Sequence, residues 1–455
     1  MIVSKVNTKL IYKHNNRFEG KHYLNNSSYL SLQLEKNEKQ CCALSSLAEV
    51  FNPPVFKRQF CKNTPRAVPY FQSSDVQSAS ERSAVYIYKG QAQSLNLLVK
   101  ENDILVTGFG TIGNTRLVSK FQDGVCYANN VCRIRTNEHT GFIYAFISGK
   151  YGKAQLNTNA SGSVVRYIES PGIKKILVPI FSDSFQQDVD NLVQEAARLR
   201  EEATCALEKA KQTLKSFINA DFVKNNYKTS IVKSRNIFSS LQHRLDPPAL
   251  MNDGVVAMDK ISSRMSTKII ADINAKVSRP GIFKRIYVEN GIPYIKGSEI
   301  FLNNPFRRCE HLSRTRTPFV DEMTLYEGQI LITCAGSVGN IKMITKEYED
   351  KKAIGSQDII RLISNDELFT KEYLFIYLQM PFVNDYIQSM KYGSVIERIE
   401  PFHVESIPVV TPTKELSEEI SAIVRQYMDC TYRAFNAEEK AIQMVEQGIE
   451  KWNKH

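Results

Sequence analysis

The sequence predicts an α/β (α+β) chain: two duplicated mixed α/β domains joined by two long antiparallel coiled-coil helices. Three observations carry this expectation. First, Asp103-Ile-Leu-Val-Thr-Gly-Phe-Gly-Thr-Ile-Gly-Asn114 returns as Gln329-Ile-Leu-Ile-Thr-Cys-Ala-Gly-Ser-Val-Gly-Asn340, so that Gly110 and Gly113 fall on Gly336 and Gly339 (336 − 110 = 226). Second, both copies contain short apolar runs rich in Val, Ile and Tyr, broken by Pro, Gly, Asn and Asp, which is strand grammar. Third, each copy ends in a stretch with apolar residues at helical spacing.

The repeat extends along the chain. Arg17-Phe-Glu-Gly matches Arg244-Leu-Asp-Pro, and Val55-Phe-Lys-Arg58 matches Ile282-Phe-Lys-Arg285, both 227 residues on (244 − 17; 282 − 55). Val68-Pro-Tyr-Phe-Gln-Ser-Ser-Asp-Val76 matches Ile292-Pro-Tyr-Ile-Lys-Gly-Ser-Glu-Ile300 (292 − 68 = 224), and Gly162-Ser-Val164 matches Gly393-Ser-Val395 (393 − 162 = 231). Loop insertions explain the drift. A period this long means duplicated domains, not a solenoid of short repeats. The expected boundaries are 1–182 for the first domain, 183–220 for its helix, 221–413 for the second domain and 414–455 for the second helix.

Taken in order, residues 1 to about 40 read as a polar lead, with Asn15-Asn16 and Asn25-Asn26 marking turns. Strand-like text follows from Ala43 to about Arg166. Within it, Val131-Cys-Arg-Ile-Arg135 alternates at period two and predicts a half-buried strand with Arg133 and Arg135 on one face. Gly141 to Tyr151 predicts a helix. From Asp183 to Ala220 there is no Pro or Gly, and the stripe Val189, Leu192, Val193, Ala196, Leu199 continues to Phe217. The second copy repeats the plan, with strands from about Ile269 to Ile363, a helix around Tyr373–Leu378, and a long helix from about Glu415 to Trp452. Two such stripes are most simply buried against each other.

Net charge is a statement about partners. At +11 and a pI near 9.0 the chain favours a polyanion. No apolar run approaches the ~18 residues of a membrane span. Met1 to Lys13 has no apolar signal core, so a cytoplasmic protein is expected. Nine cysteines, an odd number without a CxxC pair, read as reduced thiols and not as a disulfide frame or zinc site.

Gly108-Phe-Gly-Thr-Ile-Gly113 fits a dinucleotide fingerprint, but that fingerprint needs a following helix. Here Asn-Thr-Arg-Leu-Val118 reads as strand, so a tight turn is expected. Asn52-Pro-Pro-Val55 and Asp246-Pro-Pro-Ala249 approach the loop of amino-methyltransferases but lack its aromatic fourth residue. They read as turn-forming proline pairs. No catalytic residue and no metal ligand set is expected. Basic and aromatic residues interleave in both copies, the pattern of nucleic-acid contact. Candidate DNA-binding residues are Lys57, Arg58, Arg66 and Tyr70 in the first, and Lys284, Arg285, Tyr294, Lys296, Arg307, Arg308, Arg314 and Arg316 in the second. Where the copies diverge, Gln77 to Ser94 against Phe301 to Pro318, base readout is expected.

With these residues in view, the chain resembles the specificity subunits of type I restriction–modification systems. Pro69 to Val76 and Pro293 to Ile300 are similar to that family's early target-recognition motif. The Asp103 and Gln329 stretches resemble its central strand–turn motif. Gly162-Ser and Gly393-Ser, then Pro179 and Pro408, then a long helix, resemble its closing block. Gln186-Gln187 and Glu418-Glu419 stand where the family usually has Glu-Gln. The resemblance implies two target-recognition domains reading a split double-stranded DNA site, with the helices setting the spacer. It implies no catalysis by this chain. Adenine methyltransferase subunits, two of them, would be recruited, and in some systems a restriction or translocase subunit. S-adenosylmethionine, with ATP and Mg where a nuclease joins, would be held by those partners and not by this chain. Two other readings stay open from the sequence: a self-contained methyltransferase or nuclease, and a scaffold that binds protein and no DNA.

Overall fold

The computed structural model describes residues 8–13, 20–23, 26–162, 166–219, 237 and 244–452. Arg17, Asn15-Asn16, Asn25 and Ser163-Val164, all used in the repeat or turn readings, lie outside them. Chain contacts divide the molecule into unit 1 (1–201 with 433–455) and unit 2 (202–432).

Unit 1 holds two four-stranded sheets. The first runs Glu49–Phe51, Val131–Arg135, Ile104–Thr107, Thr115–Leu117, all neighbours antiparallel. The second runs Phe60–Cys61, Tyr86–Tyr88, Ala67–Phe71, Cys126–Tyr127, its last pairing parallel. Period-two alternation separates the faces of the first sheet. Ile104, Val106, Cys132 and Ile134 pack on helices, including Thr140–Ser148, whereas Leu105 and Val131 join Val68, Tyr70, Ile87 and Tyr127 of the second sheet. A short pairing of Cys41–Ala43 with Leu177–Pro179 completes the unit.

Unit 2 has the same topology. Its first sheet runs Ala275–Ser278, Ile359–Ser364, Ile330–Thr333, Ile341–Met343, and its second Tyr287–Val288, Glu310–Leu312, Ile292–Ile295, Ile354–Gly355. Thr267–Ile269 pairs with Pro408–Val410. Ile330, Ile332, Ile360 and Leu362 face helices, while Leu331 and Ile359 face the second sheet.

The long helices are Asp183–Ile218 and Lys414–Trp452. In unit 1, Val189 and Val193 share a core with Ala441, Ile442, Val445 and Ile449. In unit 2, Ala206, Ala210, Leu214 and Ile218 share one with Leu416, Ile420, Val424 and Met428. The start of one helix thus meets the end of the other, which is antiparallel order. Among the described residues no helix is long and apolar enough to cross a membrane, and the nine cysteines are free.

Four expectations need correction. Val131–Arg135 is not half-buried: Arg133 is fully buried, because the strand lies between two others with a second sheet over its face. The helix expected from Gly141 to Tyr151 is two, Thr140–Ser148 and Lys150–Thr158, parted at an extended Gly149. Pro247 and Pro248 do not form a turn but open a helix, Pro247–Met251, where Pro lacks only an N–H that has no partner in the first helical turn. The polar lead is partly helical: Asn26–Lys36 packs on Lys150–Thr158 and buries Ser28, Ser31 and Leu34. Its counterpart, Asp253–Ser262, packs on Pro381–Ser389 (253 − 26 = 227). There Gly254 lets backbones touch, since a Cβ would come 2.1 Å from the Tyr386 nitrogen.

Candidate nucleic-acid interface

In each unit an eight-residue irregular segment joins the edge strand of the first sheet to the edge strand of the second: 52–59 and 279–286. Each is pinned at its start. The Asn52 amide donates to the Asn129 carbonyl (3.3 Å) and accepts from the Ser170 N–H (2.9 Å). At the same position Arg279 donates to the Gln357 carbonyl (2.8 Å) and to the Glu400 carboxylate (2.8 and 3.0 Å). Different chemistry makes the same tie. Each segment is pinned again at its middle, where Phe56 and Phe283 pack on the second-sheet core.

The anchors present a Lys-Arg pair. Lys57, Arg58 and Lys284 are exposed and Arg285 is half-buried. The Arg58 guanidinium lies 5.7 Å from the Tyr70 ring centroid, and that of Arg285 lies 5.7 Å from Tyr294. Both tyrosines are buried, at 1% and 0% exposure, so they orient the arginines and offer no surface of their own. Arg285 Nε also donates to the Tyr294 hydroxyl at 2.8 Å. Burial pushes the Tyr70 phenol up, opposed by the Arg58 charge. Burial works against the charge of Arg285, yet Tyr294, Tyr287 and Asp358 outweigh it and hold the guanidinium above its usual range.

One residue that the sequence reading missed separates the two pairs. Asp358 lies 3.6 Å from Arg285, whereas the corresponding residue of the first copy is the neutral Asn130 (358 − 130 = 228). A carboxylate just before a buried strand, with an amide in the other copy, was the available signal.

The other candidates are less uniform. Arg66, Arg314 and Arg316 are exposed, and Arg314 donates to the Gly291 carbonyl at 3.2 Å. Lys296 pairs with Glu310 at 2.5 Å, and that bond holds its amine above the usual range. Arg307 and Arg308 are half-buried around a short turn, and burial lowers Arg308. The segment Gln77 to Ser94 is fastened by a buried ion pair, Glu81 with Arg116 at 2.5 Å, and by a Ser119 hydroxyl donating to Glu81 at 2.7 Å.

The glycine turns run strand to strand. Gly110, Gly113, Gly336 and Gly339 have φ of 70, 80, 73 and 86°, a region costly for any side chain with a Cβ. Thr107 and Thr333 cross-brace them, each hydroxyl accepting from the Asn114 or Asn340 N–H at 3.0 Å. Strands Thr115–Leu117 and Ile341–Met343 follow, where a dinucleotide fingerprint needs a helix. Among the described residues no cluster of three His, Cys, Asp or Glu side chains is placed to hold a metal.

The family model described as type I restriction modification DNA specificity domain matches residues 36–190 and again 266–444. No curated protein matches the chain. Among solved structures, the type I restriction-modification S subunit from M. genitalium is 13% identical, covering 89% of this chain and 95% of that one, with a TM-score of 0.39. The HsdS subunit from Thermoanaerobacter tengcongensis is 13% identical over 90% and 95%, with a TM-score of 0.27. A chain from a study of complex assembly and conformational transition of the type I R-M system is 14% identical over 90% and 96%, with a TM-score of 0.28.

Proposed function

This chain belongs to the type I restriction–modification DNA specificity family, carrying its domain twice, and from that premise we propose that each unit reads one half of a split DNA site. The family is the non-catalytic, DNA-recognising part of such systems. The observation that carries the finer reading is the recurrence of one cation–tyrosine pair, Arg58 with Tyr70 and Arg285 with Tyr294, at one distance and one place in the fold.

Lys57, Arg58, Lys284 and Arg285 supply phosphate contacts, which give affinity and register but no sequence information. Gln77 to Ser94 and Phe301 to Pro318, unlike in sequence though alike in position, supply base readout, so the two half-sites differ. Partner methyltransferase subunits bring S-adenosylmethionine and act on adenines flipped from the stack. A translocating nuclease subunit, where present, brings ATP and Mg. The long helices set the distance between the half-sites.

The test is binding by the full chain with its methyltransferase subunits over a salt series. Lys284→Ala with Arg285→Ala weakens binding to every duplex and lowers the log–log salt slope by roughly two. An unchanged slope would remove these residues from the phosphate contacts.

A further inference from the structure

The same two segments carry a feature that phosphate contact does not use. Val55 and Ile282 are 87% and 78% exposed, and they occupy one position of the repeat (282 − 55 = 227). Phe60 and Tyr287 are 56% and 48% exposed, again at one position (287 − 60 = 227). Single exposed apolar residues are ordinary on a protein surface. Two positions that stay apolar and exposed in both copies, while neighbours such as Asn52 and Arg279 have diverged, are not scatter.

Backbone restraint explains why these side chains stay outside. Phe56 and Phe283 plug into the core immediately after the aliphatic tips. Beyond the plug in the first copy, the Gln91 amide donates to the Lys57 carbonyl at 2.8 Å, and in the second copy the N–H of the plug itself, Phe283, donates to the Gln357 side-chain oxygen at 3.3 Å. The aromatic follows on an edge strand, Phe60–Cys61 or Tyr287–Val288. The resulting order is aliphatic tip, half-buried Phe, Lys, Arg, spacer, exposed ring.

The chemistry of that order selects an occupant. Exposed side chains placed two residues either side of a Lys-Arg pair match a surface with an anionic rim and an apolar interior. A duplex groove has this character: phosphates line its edges, and inside are base edges, among them the thymine methyl, and base faces where a step is opened. We infer that Val55 with Phe60, and Ile282 with Tyr287, make apolar contacts to bases, one set per half-site, and are specificity-determining residues distinct from the charged contacts between them. This rests on the DNA-reading function proposed above.

The experiment uses the full chain with its methyltransferase subunits and a pool of random-sequence duplexes, selected by binding and sequenced, followed by salt titration on the recovered duplex. Val55→Ser and Ile282→Ser each weaken binding to that duplex about tenfold. The salt slope stays unchanged, because an apolar contact releases no counterion. Each variant relaxes the recovered motif in one half only, and the two affect different halves. Ile282→Val keeps most of the affinity. Both serine positions are exposed, so thermal midpoints stay put and folding does not confuse the result. Unchanged affinity and motif in the serine variants overturn the inference. So does unchanged DNA binding with release of the methyltransferase subunits on gel filtration, which assigns the tips to protein docking. If the unaltered chain enriches no motif, the DNA-reading function fails and the inference falls with it; if it enriches one that the serine variants share, only the inference falls.

Discussion

Arg133 and Arg361 are the largest fully buried side chains, and they share one position of the repeat (361 − 133 = 228). Each sits mid-strand and turns its guanidinium toward the second sheet. Arg133 donates to the carbonyls of Ala128, Val131, Leu97 and Tyr127, and Arg361 to those of Ile359, Met323, Gly355 and Ser356. Burial lowers both to about 10, so both remain charged at neutral pH. The planar fork matches several fixed carbonyls, which a lysine ammonium does not. Arg361→Lys is therefore expected to destabilise the protein by about 2–3 kcal/mol, read from urea denaturation, because carbonyls are left without donors. The alternation in Val131–Arg135 was legible in the sequence. The covering of the second face was not, because a period-two pattern does not say what packs on its polar side. A second residue-scale prediction concerns Asp358. Asp358→Asn, the amide that the first copy carries, removes a carboxylate 3.6 Å from Arg285. Non-specific duplex binding then tightens by about two- to fivefold and its salt dependence steepens, measured by anisotropy over a salt series.

The long helices were legible as elements because apolar residues recur at helical spacing over thirty-odd residues in each, in Asp183–Ile218 without any Pro or Gly. What they bury at each point was not. In unit 1 the stripe is interrupted by Glu438, nearly fully buried, which accepts from the Tyr144 hydroxyl at 2.9 Å and pairs with Arg200. The equivalent positions of unit 2 are Leu207, Phe375 and Thr431, each 231 residues away (438 − 207; 375 − 144; 431 − 200). Leu207 packs on the core and Phe375 stacks on Tyr427 with centroids 5.9 Å apart. One half of the helix pair thus has a polar knot where the other has an apolar one. Removing one partner of a buried pair strands the rest, so Glu438→Ala is expected to cost about 3 kcal/mol. Replacing all three, as Y144F with R200T and E438L, is expected to cost less than about 1 kcal/mol, since well-packed apolar groups substitute for buried ion pairs at little cost. Denaturant midpoints distinguish the two. The helices Asn26–Lys36 and Asp253–Ser262 escaped the sequence reading for a related reason. Their burial comes from a partner helix far along the chain, and Asn26–Lys36 in particular shows only a weak apolar stripe.

For the whole molecule, duplication was the most legible property, because motif order repeated at nearly constant spacing reports topology even where identity is low. All three sheet pairings recur in unit 2 in the order they have in unit 1. Twelve cationic and aromatic candidates were named from the same repeat. The fold brings two of the pairs together in matching geometry, buries the tyrosines and pairs Lys296, just past the end of Ile292–Ile295, with Glu310 on the neighbouring strand, a pairing that linear text does not display. The central claim is that two similar units read separate words. It is tested most directly by mapping methylated bases in the genome of cells that carry this chain with its methyltransferase subunits, before and after Phe301 to Pro318 is exchanged for the corresponding segment of another family member. The account predicts a split motif in which one half changes while the other half and the spacer stay as they were. An uninterrupted motif, or a change in both halves at once, would contradict it.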